Sequence, residues 1–188
     1  MFYDLKKKVL TIFGDIKIYP YPCFVVYCPD THSVRGPEIR SAIEIVQPGD
    51  LILRKYIRYL DGYFIPGKYS HTGIYIGDGQ MIHAIAEGVV PCDIIDYLRC
   101  DAFIILRPKS GQKKAIERVI KWKGKEYDFS FQSGNDKMYC HELAAEAYHE
   151  LDIFKMTGKV LGYFKSPPAY LAESFLDNIN FDTILESK

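Results

Sequence analysis

The sequence predicts an α+β fold in which an antiparallel β-sheet, or a partial barrel, packs against a helix carrying a cysteine in its first turn. Three observations predict it. Between Leu51 and Arg107, short runs of β-branched and aromatic residues alternate with Gly, Asp and Pro turn signals. Two later segments switch to a helical period. The chain has 188 residues and 48% hydrophobic content, enough for one core, so a single domain is expected over 1–188.

Taken in order, the first twenty residues carry Lys6, Lys7 and Lys8 and then a short apolar run interrupted by Gly14, Asp15 and Lys17. That pattern fits neither a secretory signal nor a membrane span, so a cytoplasmic protein with no integral membrane segment is expected. Between Ile16 and Pro37, β-formers alternate with prolines, which suggests an edge strand or two. Residues 1–45 are read as an N-terminal elaboration, 46–150 as the core and 151–188 as a C-terminal extension. The core opens with a turn at Gln47, Pro48, Gly49 and Asp50, and strands are expected over 51–53, 69–77, 80–85 and 102–107. A surface helix over 110–123 buries Ala115, Ile116, Val119, Ile120 and Trp122, with Ser110 as its cap. A stronger helix covers 139–151.

Charge and cysteine content exclude several classes. Lys plus Arg equals Asp plus Glu at 24 each, so no net field draws the chain to nucleic acid. The five cysteines (23, 28, 92, 100 and 140) are odd in number and form no CxxC pair, which argues against a disulfide framework and for a reducing compartment. Cys23 and Cys28 are too widely spaced for a usual zinc ligand pair, so no metal or other cofactor is expected.

In the 139–151 helix, Cys140, Leu143, Ala144, Ala147, Tyr148 and Leu151 step by three and four, which puts Cys140 on the buried stripe. His141, Glu142, Glu146 and His149 are expected to face the other way. A thiol at a helix N-terminus meets unpaired N–H groups and the positive dipole end, which favour the thiolate. The same groups can hold an oxyanion.

A base is supplied by the hairpin that contains His71 and His83. If Asp78 and Gly79 form a two-residue loop, His83 opposes Ile74 and the histidines point to opposite faces. If Gly77, Asp78 and Gly79 form a three-residue loop, His83 opposes Gly73, and His71 and His83 become diagonal neighbours on one face.

The stretches Pro48-Gly49-Asp50-Leu51, His71-Thr72-Gly73-Ile74-Tyr75-Ile76-Gly77 and Ile82-His83-Ala84 resemble the core of the NlpC-like cell-wall peptidases. Those enzymes use a Cys, a His and a third polar residue in a papain-like site, with the nucleophile ahead of the histidine strand. Here Cys140 follows it. That order resembles the circularly permuted branch, which includes the YiiX-like hydrolases and the lecithin:retinol acyltransferase-like proteins. Tyr127-Asp128-Phe129 and Tyr139-Cys140-His141-Glu142-Leu143 look particularly YiiX-like. The match covers about 46–150.

The resemblance implies a permuted papain-like fold and acyl transfer through a thioester. Cys140 is then the nucleophile, His71 the base and His83 the group that orients it, with Glu87 as the alternative orienting residue. Tyr127 matches a family tyrosine near the nucleophile that can donate to the oxyanion or the substrate. The expected substrate is a small peptide-like or acyl compound, and the reaction is amide cleavage in a peptide, isopeptide or cell-wall-like peptide. A lipid acyltransferase or thioesterase is the alternative. A non-enzymatic module holding zinc through His71, His83, Cys140 and His141 is the second alternative.

Overall fold

The computed structural model describes residues 2–14, 16–19, 24–27, 32–59, 65–131, 134, 136–160 and 164–187. Its centre is a six-stranded antiparallel sheet of β3 (Leu51–Lys55), β4 (His71–Gly77), β5 (Gln80–Ile85), β6 (Gly88–Asp93), β7 (Ala102–Pro108) and β10 (Phe181–Glu186). The spatial order is β10-β7-β3-β4-β5-β6. β10 and β6 form its two edges, so the sheet is open and not a closed barrel. Small hairpins, β1 (Ile16–Tyr19) with β2 (Phe24–Tyr27) and β8 (Lys159–Val160) with β9 (Phe164–Lys165), lie outside it.

The two faces of the sheet bury alternate residues, as the period of a strand requires. Leu51, Leu53, Ile74, Ile82 and Ala84 pack on one side with helices α4 (Gln112–Lys121) and α5 (Cys140–Ala147). Ile52, Met81, Phe103 and Ile105 pack on the other with α2 (Gly36–Ile45) and α3 (Ile94–Tyr97). The turn before β3 is fixed by Asp50, which accepts from Gln47 N–H at 2.8 Å and from Arg107 Nε and Nη2 at 2.9 and 2.7 Å.

Several elements differ from the expectation. Helix α1 (Phe2–Gly14) and helix α2, which has Pro37 in its first turn, occupy the N-terminal region. Cys23 and Cys28, and part of the proline-rich stretch around them, lie outside the described residues. Helix α4 starts after Gly111 in the left-handed conformation (φ 87°), so Ser110 caps nothing. The helix expected over 139–151 ends at Ala147, and a 3₁₀ turn, His149–Leu151, follows.

The largest difference concerns the face of α5 expected to be polar. His141 and Glu142 are both buried, at 2% exposure each. The cause lies in residues 151–188. Helix α6 (Glu173–Leu176) packs Phe175 into the same core as Leu143 and Ala144, and β10 adds Phe181 and pairs with β7. The first two turns of α5 are therefore enclosed on both sides.

Candidate active site

The β4–β5 hairpin has a two-residue turn, with Gly77 opposite Gln80 and left-handed backbone at Asp78 (φ 51°) and Gly79 (φ 72°). This is the mirror-image turn that Asp-Gly favours. The three-residue loop is absent, but the register it would have produced is present. A bulge between Tyr75 and Gly77, with Gly77 at φ 102°, inserts one residue into β4 and brings Gly73 opposite His83.

His71 and His83 consequently share a face of the sheet. His71 Nε2 lies 3.0 Å from His83 Nδ1, and the two rings meet edge to face with centroids 5.1 Å apart. Tyr97, from α3, lies against both rings, at 5.8 Å from His71 and 5.4 Å from His83. Its hydroxyl donates to the Ile52 carbonyl at 2.8 Å. The space beside Gly73 is filled by this tyrosine, since a Cβ there would stand 2.7 Å from Tyr97 Cε2. Arg54 is the direct cross-strand neighbour of His71. Its guanidinium stacks on Tyr97 at 4.3 Å and donates from Nη1 to the Tyr97 carbonyl at 2.9 Å.

This environment keeps the histidines neutral. Burial, then the Arg54 charge, and then the neighbouring histidines hold His71 well below its ordinary value. Burial and Arg54 take His83 down to about 3. His141, buried beyond the helix start, falls to about 4, and its Nδ1 pairs with Thr72 Oγ1 at 2.5 Å.

Cys140 is the first residue of α5, and the β4–β5 ladder ends at the Gly73–His83 pair. Its Sγ donates to the Ser70 carbonyl at 3.9 Å, so the resting thiol is held by the main chain beside His71 and makes no hydrogen bond to either ring. The expectation of a thiolate at the helix end meets a larger opposing effect. Burial pushes the thiol up to about 11, outweighing the pull of the Thr72, His141 and Cys140 backbone groups and of Arg54. The shifts favour a neutral thiol at Cys140 and neutral imidazoles at His71, His83 and His141.

The other residues singled out in the sequence stand apart. Glu87 is on the exposed turn after β5, ion-paired with Lys7 at 3.2 Å, while His83 occupies the place beside His71. Tyr127 is half-buried in an aromatic group with Phe129 at 5.0 Å and Phe131 at 6.4 Å, and bridges Met138. It is not among the described residues lining the cavity beside Cys140, whose wall is built by Phe131, Tyr139 and Tyr170. Arg54 and Tyr97 are the members that sequence reasoning missed. They lie 43 residues apart, outside the expected strands and helices, and the one available signal was a small residue, Gly73, where the histidine strand needed a partner ring.

Comparison with known proteins follows the same lines. Residues 45–179 match a family model described as permuted papain-like amidase enzyme, YaeF/YiiX, C92 family. Protein OPG091 of Monkeypox virus is 27% identical over 148 residues, which cover 74% of this chain and 84% of that protein. Protein OPG091 of Vaccinia virus (strain Western Reserve) is 26% identical over the same extent. A crystal structure of the metalloprotein yiiX from Escherichia coli O157:H7 superposes with a TM-score of 0.59 at 17% identity, covering 75% of this chain and 97% of that one, and shows the shared fold. With the nucleophile candidate after the histidine strand and a matching model over most of its length, this chain belongs to the permuted papain-like amidases of the YaeF/YiiX type, an enzyme family of papain-like cysteine hydrolases.

Proposed function

We propose that Cys140 is the nucleophile, His71 the general base and His83 the residue that orients it, in an amidase that cleaves a peptide, isopeptide or related amide through a thioester. The observation that carries this reading is the 3.0 Å contact between His71 Nε2 and His83 Nδ1 on the strand whose start holds the Cys140 thiol. With Nε2 given to His83, Nδ1 is the ring nitrogen of His71 left to receive a proton.

The sequence of steps follows from the resting protonation states. The thiol leaves the Ser70 carbonyl, His71 Nδ1 takes its proton, and sulfur attacks the substrate carbonyl. His71 Nε2–H donates throughout to His83 Nδ1, which keeps the proton of His83 on its own Nε2. This stabilises the imidazolium while it exists. The oxyanion is met by the Cys140 main-chain N–H at the start of α5. Tyr127, for which the resemblance implies a donor role to the oxyanion or the substrate, packs its ring against Phe131 at 6.4 Å. His71 then protonates the departing amine, leaving an acyl thioester on Cys140, and activates the water that hydrolyses it.

A lipid ester as acyl donor is the second reading, favoured by the apolar cavity that Cys140 lines. Metal ligation fits these donors poorly. His71 and His83 are turned toward one another, and among the described residues no three His, Cys, Asp or Glu side chains converge to hold a metal ion. Among the described residues, no helix is long and apolar enough to cross a membrane. The unpaired thiols of Cys92, Cys100 and Cys140 suit a reducing, cytoplasmic setting.

Intact-mass measurement during reaction with p-nitrophenyl acetate tests the reading. One acetyl group is expected on Cys140, absent in Cys140→Ala and slowed in His71→Ala. Acetylation of other residues alone, unaffected by either substitution, would overturn it.

A further inference from the structure

The cavity beside Cys140 has a volume of about 250 Å³. Phe131, Tyr139, Ala169, Tyr170 and Leu171 form its apolar walls, Cys140 and His141 also line it, and none of the described residues lining it is Asp, Glu, Lys or Arg. The walls are fixed. The Tyr170 N–H donates to the Tyr139 hydroxyl at 2.8 Å, which leaves the Tyr139 ring to the cavity, and Ala169 exchanges main-chain hydrogen bonds with Met156 at 2.8 and 3.0 Å.

At the rim, Phe131 adopts a left-handed backbone conformation (φ 55°) and leaves 42% of its surface exposed. A bulky residue in that region is strained, and such strain persists where the surroundings impose it, commonly at ligand sites. Its ring packs on Tyr139 at 5.3 Å.

A second cleft, of about 270 Å³, adjoins the first, with which it shares Ile65. Lys55, Arg58, Lys68 and Ser70 line it. Ser70 both holds the Cys140 thiol and precedes His71. A departing amine must lie within reach of the His71 proton, so it belongs on the Ser70 side. The acyl group, bonded to Sγ after attack, is then left with the apolar cavity.

Resting on the reading of Cys140 as the nucleophile, we propose that this cavity is the acyl-side subsite and that the enzyme selects acyl groups bearing a bulky apolar side chain or a medium-length alkyl chain. An engineered apolar cavity of roughly 150 Å³ holds benzene, and by proportion this one holds roughly ten non-hydrogen atoms. That accommodates a phenylalanine, leucine or methionine side chain or an octanoyl chain. It gives no further purchase to a long lipid tail, and its lack of charged lining residues disfavours acidic acyl groups.

The test uses the p-nitrophenyl esters of acetic, octanoic and dodecanoic acid, which share one leaving group, with kcat/KM measured below their micelle concentrations. Octanoyl is expected to exceed acetyl by at least tenfold, and dodecanoyl to add less than twofold more. Ala169→Phe, which fills the cavity, should lower the octanoyl-to-acetyl ratio at least tenfold. Should that variant fail to fold, Phe131→Ala at the exposed rim should lower the same ratio several-fold. Equal rates for all three esters, with Cys140 still acylated, would overturn the subsite and leave the nucleophile standing. An unchanged ratio in the folded variants would do the same. Acylation of Cys140 by none of the esters would instead remove the underlying reading, and the subsite with it.

Discussion

His71 Nε2 and His83 Nδ1 approach to 3.0 Å because β4 carries one extra residue at its bulge, not because of the length of the hairpin turn. In the proposed mechanism the pair fixes the tautomer of His71, and removing His83 takes away the partner of Nε2 in a half-buried setting. His83→Ala is expected to lower kcat/KM by roughly 10- to 100-fold or more, by analogy with the cost of losing the partner that orients a metal-bound histidine. His83→Gln should recover part of it, because its carbonyl oxygen can accept. Glu87→Gln serves as the contrast, and an equal loss there would shift the orienting role to Glu87.

Tyr97 fills the space left by Gly73 and packs against both imidazole rings. Gly73→Ala would force the ring away from a Cβ placed at 2.7 Å, in a core with no slack to receive it. The expected outcome is a loss of about 1–3 kcal/mol in stability by denaturant unfolding, with a larger proportional loss in kcat than in KM. A variant with wild-type kcat would show that Tyr97 packing does not position the pair.

Arg54 places a positive charge beside both histidines and within influence of the thiol. Arg54→Met is expected to raise His71 and His83 toward their ordinary values and to raise Cys140 further. The acid limb of the activity profile then moves to higher pH, because His71 must be neutral to act as base. A limb that stays in place, or moves to lower pH, would contradict the assignment of Arg54.

Two buried histidines, His83 and His141, and the half-buried His71 also govern stability in acid. Burial is the leading cause of the lowering at His71, His83 and His141, the last two falling to about 3 and about 4. A lowered folded value means that the unfolded chain binds more protons below about pH 6.5, so folding stability falls with pH from there downward. Urea midpoints measured from pH 7.5 to pH 4 should be steady above about 6.5 and decline below it, with a shallower decline in His83→Gln. A flat profile down to pH 4 would mean that these rings are not held neutral by the fold.

Much of this arrangement is legible in the residues. Strand periodicity and the apolar spacing around Cys140 correspond to observed elements, and the two-residue Asp78-Gly79 turn is one of the two loops that the residues allow. The bulge at Ile76 and Gly77 is not legible, because one inserted residue plus a two-residue turn gives the same register as a three-residue loop. The burial of His141 and Glu142 depends on Phe175 and Phe181, more than thirty residues further along, and helical periodicity carries no trace of that cover. Arg54 and Tyr97 come together only through β3 and α3. The thiol shows the limit of a local rule, since helix-end electrostatics favour the thiolate while burial, set by the whole fold, pushes the group up to about 11.

The central claim is that His71 takes the proton of Cys140, and alkylation of the thiol by iodoacetamide at pH 7 measures this most directly. With the reacted residue identified by peptide mass, Cys140 is expected to be modified faster than Cys92 and Cys100, and His71→Ala to slow its modification by roughly a hundredfold, within the range typical of general-base assistance. Modification of Cys140 at the same rate with and without the His71 imidazole would contradict the account.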